Sequence, residues 1–145
     1  MNNSHKTKAY IQRIEGINGS MKHLNIFISN TFRLRKYPYL LIIQSTSREC
    51  TRLTIYPILR QNILRLRLWG SNISNEAISK LSKILKKYEI IHNSGFLMRE
   101  KQFYYECYFN LSLSEVKSKD LKTSLDTIKN IFKEIKIEEI RLNNS

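Results

Sequence analysis

The chain has 145 residues, 41% of them hydrophobic, and a formal net charge of +13, so its composition is that of one globular domain and not of a disordered segment. No apolar run approaches the ~18–20 residues of a membrane span, and the polar start of the chain lacks the apolar core of a secretory signal. We therefore expect a cytoplasmic protein with no membrane partner.

The first twenty residues are polar and contain two glycines near their end, which predicts a flexible arm over residues 1–20. The remainder, residues 21–145, is expected to form a single α+β domain. Within it, residues 21–61 are basic and rich in strand-forming side chains, and residues 62–142 alternate between strand-like and helix-like patterns. The sequence thus predicts a β-rich extension followed by an α+β unit.

Strand signals dominate the part of the chain before residue 62. Residues 23–29 form a first apolar run, and residues 39–46 and 51–59 are β-branched and aromatic runs separated by a short polar turn. This pattern predicts a first strand and then a β-hairpin. Pro57 lies in the second hairpin strand, and because proline cannot donate a hydrogen bond to a neighbouring strand, it places this strand at a sheet edge or a bulge.

The second half begins with an alternating segment and then changes period. Residues 62–70 carry three leucines on one face and Arg65 and Arg67 on the other, which predicts a half-buried strand. Apolar residues at helical spacing follow, from Ser74 as a candidate N-cap to about Tyr88. We therefore expect a strand that leads into a helix.

The remaining elements complete a β-α-β-β-α-β order. Residues 89–99 and 103–111 are strand-like, a second helix is expected from a cap near Ser118 to about Ile135, and residues 137–142 form the last strand. This order predicts a ferredoxin-like antiparallel sheet with two helices on one face, extended by the N-terminal hairpin or meander.

Alternation in the second of these strands divides its side chains between two faces. Phe103, Tyr105 and Phe109 are expected to face the helices, whereas Tyr104 and Tyr108 are expected to face outwards. An aromatic outer face of a sheet is a candidate dimer interface.

The stretch from residue 62 to residue 142 resembles an ACT-type regulatory domain. The resemblance rests on Leu68-Trp69-Gly70 at the end of the first strand, on the helix NEAISKLSKILKKYEI, and on the ending TIKNIFKEIKIEEIRL. It implies a small-molecule-sensing regulator that pairs into a homodimer through sheets or edges. The ligand would then lie at the turn and helix start formed by Gly70, Ser71, Asn72 and Ser74, where free N–H groups suit a carboxylate.

The residues of an enzyme or of a metal site are not recognisable. His5, His23 and His92 include no pair at metal-ligand spacing, and the sequence has no nucleophile beside a base in a known setting. Cys50 and Cys107 lie in apolar strand-like runs, which predicts buried thiols rather than a disulfide framework. We therefore expect no catalytic activity, no metal and no cofactor.

The positive charge is concentrated in the first half of the chain. Residues 1–70 hold twelve Lys and Arg against two acids, whereas residues 71–145 hold thirteen against ten, and eight of the ten arginines lie in the first half. Arginine contacts phosphate in a bidentate manner and stacks on bases, so this asymmetry predicts a polyanionic partner.

We expect this partner to be nucleic acid, RNA rather than a specific DNA sequence, bound through an arginine-rich sheet surface. The candidate contacts are Arg33, Arg35, Lys36, Arg52, Tyr56, Arg65 and Arg67. They form one surface if their strands are neighbours, with Tyr56 as a stacking platform. Two alternatives stay open: the ACT-like regulator, and a protein-interaction subunit of a larger complex.

Overall fold

The computed structural model describes residues 6–13, 20–21, 24–25 and 36–142, which fold into two compact units. Unit 1 takes the described residues up to Gln61 together with those from Ile140 onward, and unit 2 is Asn62–Glu139. In chain order the elements are β1 (Lys6–Arg13), β2 (Ser20–Met21), β3 (Leu24–Asn25), β4 (Tyr39–Thr46), β5 (Thr51–Ile58), β6 (Asn62–Ser71), α1 (Asn75–Leu85), β7 (Ile90–Asn93), β8 (Leu97–Arg99), β9 (Gln102–Phe109), α2 (Val116–Asp126) and β10 (Glu134–Arg141). The protein is therefore a mixed α+β structure, as predicted, and its strands pair in antiparallel sheets.

Unit 1 contains a three-stranded antiparallel sheet in the order β1-β4-β5 and a short pairing of β2 with β3. β4 is the central strand, and its residues 40–43 are buried on both faces of the sheet. The predicted hairpin of β4 and β5 is confirmed. Pro57 lies in β5, an edge strand, where a residue without an N–H is tolerated.

The prediction of a flexible arm over residues 1–20 is wrong for residues 6–13, which form β1. This strand pairs with β4 along its whole length, from Lys6 opposite Thr46 to Arg13 opposite Tyr39. The strand was not predicted because only a few of its side chains are apolar. Burial of Ile11 and continuous main-chain pairing stabilise it in the folded protein.

The turn of the β4–β5 hairpin exposes Cys50, so the prediction of a buried thiol is wrong at this position. The Ser47 N–H and hydroxyl both donate to the Cys50 carbonyl, at 2.9 and 3.1 Å, which makes Cys50 part of the turn rather than of the strand. Cys107, in contrast, is fully buried in β9, and this burial raises the pKa of its thiol to about 12.

This contrast predicts that a thiol reagent modifies one cysteine of the folded protein much faster than the other. A maleimide should label Cys50, whereas Cys107 should react only on unfolding, because its thiolate is both inaccessible and disfavoured. Mass spectrometry of the labelled native protein identifies the site. Cys50→Ser is the matched control and should stay unlabelled; equal labelling of both thiols in the folded protein would contradict the burial of Cys107.

Unit 2 is built on a sheet in the order β10-β6-β9-β7, with β8 also paired to β9. β9 runs antiparallel to β6 and to both β7 and β8. β10 runs antiparallel to β6, because the Lys133 N–H bonds the Trp69 carbonyl at one end of the pair and the Leu142 N–H bonds the Gln61 carbonyl at the other. α1 connects β6 to β7, and α2 connects β9 to β10.

The core of unit 2 lies between one face of this sheet and the two helices. Its fully or largely buried members include Leu64, Leu66 and Leu68 of β6, Phe103, Tyr105, Cys107 and Phe109 of β9, Ala77, Leu81 and Leu85 of α1, and Leu121 and Leu125 of α2. Cross-strand register places Leu66 opposite Cys107, so the β6 and β9 residues share a face. The predictions that the leucines of β6 and the odd-numbered aromatic residues of β9 form the core are confirmed.

Helix α1 begins where the sequence predicts and ends slightly earlier. The Ser74 hydroxyl oxygen accepts the Ala77 N–H at 3.1 Å and so caps the helix. The regular helix ends at Leu85 rather than at about Tyr88. Among the residues that follow, backbone N–H groups donate to the carbonyl three residues earlier, as in a 3-10 helix. For example, the Tyr88 N–H donates to the Leu85 carbonyl at 3.1 Å.

The prediction that Ser118 caps the second helix is wrong. α2 already begins at Val116, and the buried Ser118 hydroxyl donates to the Glu115 carbonyl at 2.7 Å. The helix ends at Asp126 rather than at about residue 135, and a single turn of 3-10 helix follows. The chain reaches β6 only at Lys133, whose N–H donates to the Trp69 carbonyl at 2.8 Å just before β10 begins.

The single strand predicted over residues 89–99 is broken into β7 and β8. The Asn93 side-chain oxygen accepts the Gly95 N–H at 2.9 Å, and Gly95 has a left-handed φ of 71°. The Ser94 hydroxyl accepts the Glu106 N–H at 2.9 Å. These local hydrogen bonds form a bend that interrupts regular pairing with β9.

The strand predicted over residues 23–29 lies largely outside the described residues. The structure describes only Leu24–Asn25 there, as the short strand β3. Of the helices in the described ranges, none is long and apolar enough to cross a membrane.

Candidate functional site

The predicted nucleic-acid contacts of unit 1 that the structure describes are Lys36, Arg52 and Tyr56, since Arg33 and Arg35 lie outside the described residues. Lys36 and Arg52 are exposed. Arg52 and Tyr56 lie on the same face of β5, as their spacing predicts, but Tyr56 is half-buried. In unit 1 the predicted cations are therefore more exposed to solvent than the Tyr56 ring, which was predicted to stack on bases.

Arg65 and Arg67 belong to β6 in the sheet of unit 2, whereas Arg52 and Tyr56 belong to an edge strand of the sheet of unit 1. β5 and β6 follow each other in the chain, but among the described pairings they are not neighbours. The condition set for one sheet surface, that these strands be neighbours, is therefore not met by the described pairings. The physical reason is that the chain leaves one sheet at residue 58 and enters another at residue 62.

Arg65 and Arg67 instead take part in a polar cluster on the face of the unit 2 sheet that points away from the helices. We call it the arginine–carboxylate cluster, and its members are Arg65, Arg67, Tyr104, Glu106, Tyr108 and Glu138. Cross-strand register places Arg65 opposite Tyr108 and Arg67 opposite Glu106. Glu138 lies on β10, which flanks β6 on the other side.

Glu138 holds both guanidinium groups through one carboxylate oxygen. Its Oε1 accepts a hydrogen bond from Nε of Arg65 at 2.9 Å, lies 2.7 Å from Nη2 of the same residue, and also accepts from Nη2 of Arg67. The two arginine side chains are only 12% and 20% exposed. The Arg67 guanidinium also lies over the Trp69 ring, 5.6 Å from its centroid. Internal contacts thus fix both arginines.

Glu106 is the second carboxyl of the cluster, and only 3% of the residue is exposed. Its two oxygens accept hydrogen bonds from the Tyr104 and Tyr108 hydroxyls. The tyrosines do lie on the face away from the helices, but Tyr108 is fully buried, so the expected outward-facing dimer surface is wrong at this residue. A buried tyrosine hydroxyl needs an acceptor, which Glu106 supplies.

The pKa values in the cluster follow from burial and pairing. Burial, and then the Glu106 carboxyl, raise the pKa of both Tyr104 and Tyr108. Burial alone would lower the pKa of Arg65, but Tyr108 and Glu138 outweigh it and the pKa is raised. Burial also acts to raise the pKa of Glu138, yet the two arginines hold it below its usual value. At neutral pH the Tyr104 and Tyr108 hydroxyls therefore stay protonated, while Arg65 and Glu138 are charged.

The cluster contains two guanidinium groups and two carboxyl groups, so its opposite charges can balance internally. Glu138 already holds Nε and Nη2 of Arg65 and Nη2 of Arg67, groups that a bidentate phosphate contact would use. Glu106 and Glu138 were not predicted as neighbours of these arginines. Both lie at polar positions of strand-like segments, which indicates that they face away from the core. This pattern does not identify their partners, because that requires the order of the strands in the sheet.

The turn assigned to a ligand by the ACT resemblance consists of Gly70, Ser71, Asn72 and Ser74. Its polar groups already have partners: the Asn72 N–H donates to the Lys101 carbonyl at 2.9 Å, and the Ser71 hydroxyl donates to the Gln102 side chain at 3.1 Å. The Ser74 hydroxyl is used as the cap of α1. The structure brings the four residues together as a corner that joins β6, α1 and the start of β9.

Gly70 has a packing role at this corner. A Cβ atom at this position would lie 2.5 Å from Cδ1 of Ile73 and 3.0 Å from its Cγ1. Ile73 is buried in the unit 2 core. The glycine is therefore explained by the close approach of Ile73, with no ligand needed.

The surplus positive charge of the chain lies on its surface. Among the residues whose side chains are described, eighteen Lys and Arg are exposed against seven Asp and Glu. Within residues 71–142 all thirteen basic residues are exposed, whereas four of the ten acids, Glu106, Glu115, Glu138 and Glu139, are buried or half-buried. The second half is therefore more basic at its surface than its sequence count indicates.

The two helices and the turns that follow them supply many of these cations. The exposed lysines there are Lys80, Lys83, Lys86, Lys87, Lys117, Lys119, Lys122 and Lys129. Lys80 forms a salt bridge with Glu76 at 3.4 Å, an exposed pair of small energetic value. These lysines were not predicted as ligand contacts, because acidic residues nearly balance them in the sequence and only the folded structure buries or half-buries four of those acids.

Within the described part of the chain, no three His, Cys, Asp or Glu side chains form a group that could hold a metal ion. Comparison of the chain with known protein families, with curated proteins and with solved structures gives no match.

Proposed function

We propose that this protein binds nucleic acid without catalysis, and that its ligand is RNA rather than a specific DNA sequence. The supporting observation is the excess of exposed basic over exposed acidic side chains, eighteen against seven in the described residues. A phosphate backbone is the polyanion that such a distributed basic surface attracts, because neutralised phosphates release their counterions.

The composition of this surface favours a mode that does not depend on sequence. Most of its cations in unit 2 are lysines, which are hydrated point charges, whereas bidentate recognition of a base edge uses arginine in a fixed geometry. Arg65 and Arg67 are engaged with Glu138, so the proposed phosphate contacts are the exposed residues instead. In unit 1 these include Lys36 and Arg52.

We also propose that unit 2 has the ferredoxin-like arrangement. The strand order β10-β6-β9-β7, with one helix after β6 and one after β9, supports it. Unrelated functions share this arrangement, so it describes a scaffold and does not choose a ligand. The ACT-like regulator is the alternative on the same scaffold, and the internal hydrogen bonds of its turn weigh against it. A homodimer or a larger complex is compatible with either role.

The proposal predicts binding that depends strongly on salt. If six or more phosphates are contacted, affinity for a generic RNA should fall by about 10³–10⁵-fold between about 50 and 200 mM salt. Fluorescence anisotropy with labelled single-stranded and duplex RNA and DNA measures it. Absence of binding at the lowest salt, or an affinity that does not change with salt, would overturn the proposal.

Arg52 offers a local test within the same titration. Arg52→Ala should reduce the steepness of log affinity against log salt by about one unit if the side chain contacts a phosphate. Thr51→Ala, at the adjacent exposed position of β5, is the uncharged control and should leave the slope unchanged. Identical slopes for both variants would remove Arg52 from the interface.

A further inference from the structure

Phe96 differs from the other aromatic residues in its exposure. It is 41% exposed, whereas every other Phe, Tyr and Trp with a described side chain is buried or half-buried. The next two residues, Leu97 and Met98, are exposed as well. Register places Met98 opposite Phe103, which Phe96 also contacts, so Phe96 and Met98 share one side of the sheet, and neighbouring exposed apolar side chains of this kind mark a contact surface.

The Phe96 ring is supported from within the protein. Its centroid lies 4.9 Å from that of Tyr105 and 5.7 Å from that of Phe103, and both of these rings belong to the core of unit 2. The bend before it is fixed by the hydrogen bond from the Gly95 N–H to the Asn93 side chain. The ring is thus held against a rigid support while part of its surface stays open to solvent, as a stacking platform requires.

Two exposed cations follow Phe96 in the same segment. Arg99 ends β8 opposite Gln102, on the face of the strand away from Phe96, whereas Lys101 lies in the turn to β9, after the exposed Glu100. The turn is fixed by the hydrogen bond from the Asn72 N–H to the Lys101 carbonyl. An exposed ring followed closely by a cation is the combination that binds unpaired bases together with their phosphates.

We infer that an unpaired base of a single-stranded nucleic acid stacks on Phe96, while Lys101 contacts an adjoining phosphate. The inference rests on the proposed nucleic-acid binding and adds the form of the ligand. A duplex keeps its bases stacked on one another and offers no base face to the ring, whereas a single strand does. The site therefore selects single strands.

The decisive experiment compares a short single-stranded RNA with the duplex of the same sequence at one fixed salt concentration. Phe96→Ala should weaken single-strand binding by about 5- to 150-fold, the range for loss of one stacked base, and should change duplex binding less than about twofold. Leu97→Ala is the matched control, since it truncates the adjacent exposed apolar side chain. Urea unfolding establishes that both variants are folded.

A gain-of-signal variant keeps the inference testable if truncation disturbs the fold. Phe96→Trp should retain single-strand affinity, and its fluorescence should be quenched on binding by more than that of the wild-type protein, whose only tryptophan is Trp69. Equal quenching in the two proteins would place the base away from position 96.

The possible results distinguish failure of the Phe96 stacking site from failure of the proposed nucleic-acid binding. Wild-type protein that binds no nucleic acid at low salt overturns the proposed function. Wild-type protein that binds single strands, with Phe96→Ala binding equally well, overturns only the stacking site. If Phe96→Ala converts a dimer to a monomer in sedimentation and leaves RNA binding unchanged, the surface around β8 is a protein interface and the inference is wrong.

Discussion

Replacement of Glu106 by alanine is expected to destabilise the protein by about 3–5 kcal/mol. Glu106 is buried and accepts hydrogen bonds from the Tyr104 and Tyr108 hydroxyls. The substitution leaves both hydroxyls without this acceptor and removes the carboxyl that lies opposite Arg67. Urea unfolding followed by fluorescence measures the loss, and Trp69 reports on the cluster because its ring lies edge-on to that of Tyr104, 5.6 Å between centroids.

The matched control for this variant is Glu134→Ala, which removes an exposed carboxyl from β10. It should change the free energy of unfolding by no more than about 0.5 kcal/mol. Tyr108→Phe removes one donor while keeping the ring, and in a double-mutant cycle with Glu106→Ala the coupling should be about 0.5–3 kcal/mol. If Glu106→Ala unfolds as easily as Glu134→Ala does, then the carboxyl is not buried among these donors.

The sequence could assign side chains to faces because a strand has a period of two. That rule correctly places the leucines of β6 and the aromatic residues of β9 in the core. The rule says nothing of what covers the opposite face. From the sequence, Arg65 is therefore expected to be an unpaired cation. In the structure β10 pairs with β6, and Glu138, which is 73 residues further along the chain, accepts a hydrogen bond from the Arg65 guanidinium.

Element ends were harder to predict because short polar side chains have two possible partners. A serine can accept a forward N–H as a helix cap or donate backward to a carbonyl. Ser74 does the first and Ser118 does the second. The choice depends on where tertiary packing starts the helix, and for α2 that is the burial of Leu121 and Leu125 against the sheet. A local pattern therefore indicates the helix but not its first residue.

The distribution of surface charge also required the structure. Counting residues makes the first half of the chain the basic one. Burial changes this balance: Arg65 and Arg67 are withdrawn from solvent in the first half, and Glu106 and Glu138 are withdrawn in the second. Both halves consequently present basic surfaces, and the proposed contacts include the lysines of unit 2 that the sequence gave no role.

Reversing the charge of Arg67 is expected to destabilise the protein by about 2–4 kcal/mol. Arg67→Glu replaces the attractive contact with Glu138 by a repulsive one and places a second carboxyl group directly opposite Glu106. Urea unfolding at neutral pH measures the effect. Lys129→Glu makes the same charge change at an exposed position and should cost no more than about 0.5 kcal/mol. Equal stability of the two variants would show that Arg67 is not held in the cluster.

The pH dependence of unfolding identifies the cause of that loss. The pKa of Glu138 is lowered in the folded protein, so its pairing adds stability that is present above the pKa of the unfolded chain. This stability is lost as the pH falls below about 4.5 and through the folded pKa. Arg67→Glu removes one of the two arginines responsible, so its stability should fall less steeply in this acid range. A wild-type acid slope in the variant would place the damage outside the Glu138 pair.

This expected loss of stability decides which variants can test binding. A charge reversal at Arg67 would lower RNA affinity through unfolding even if no phosphate ever touched the side chain. Substitutions at the exposed Arg52 and Phe96 leave the cluster intact, so a loss of affinity there reports on the ligand. The measurement at Arg67 and those at the two exposed sites therefore separate what holds the sheet together from what the protein binds.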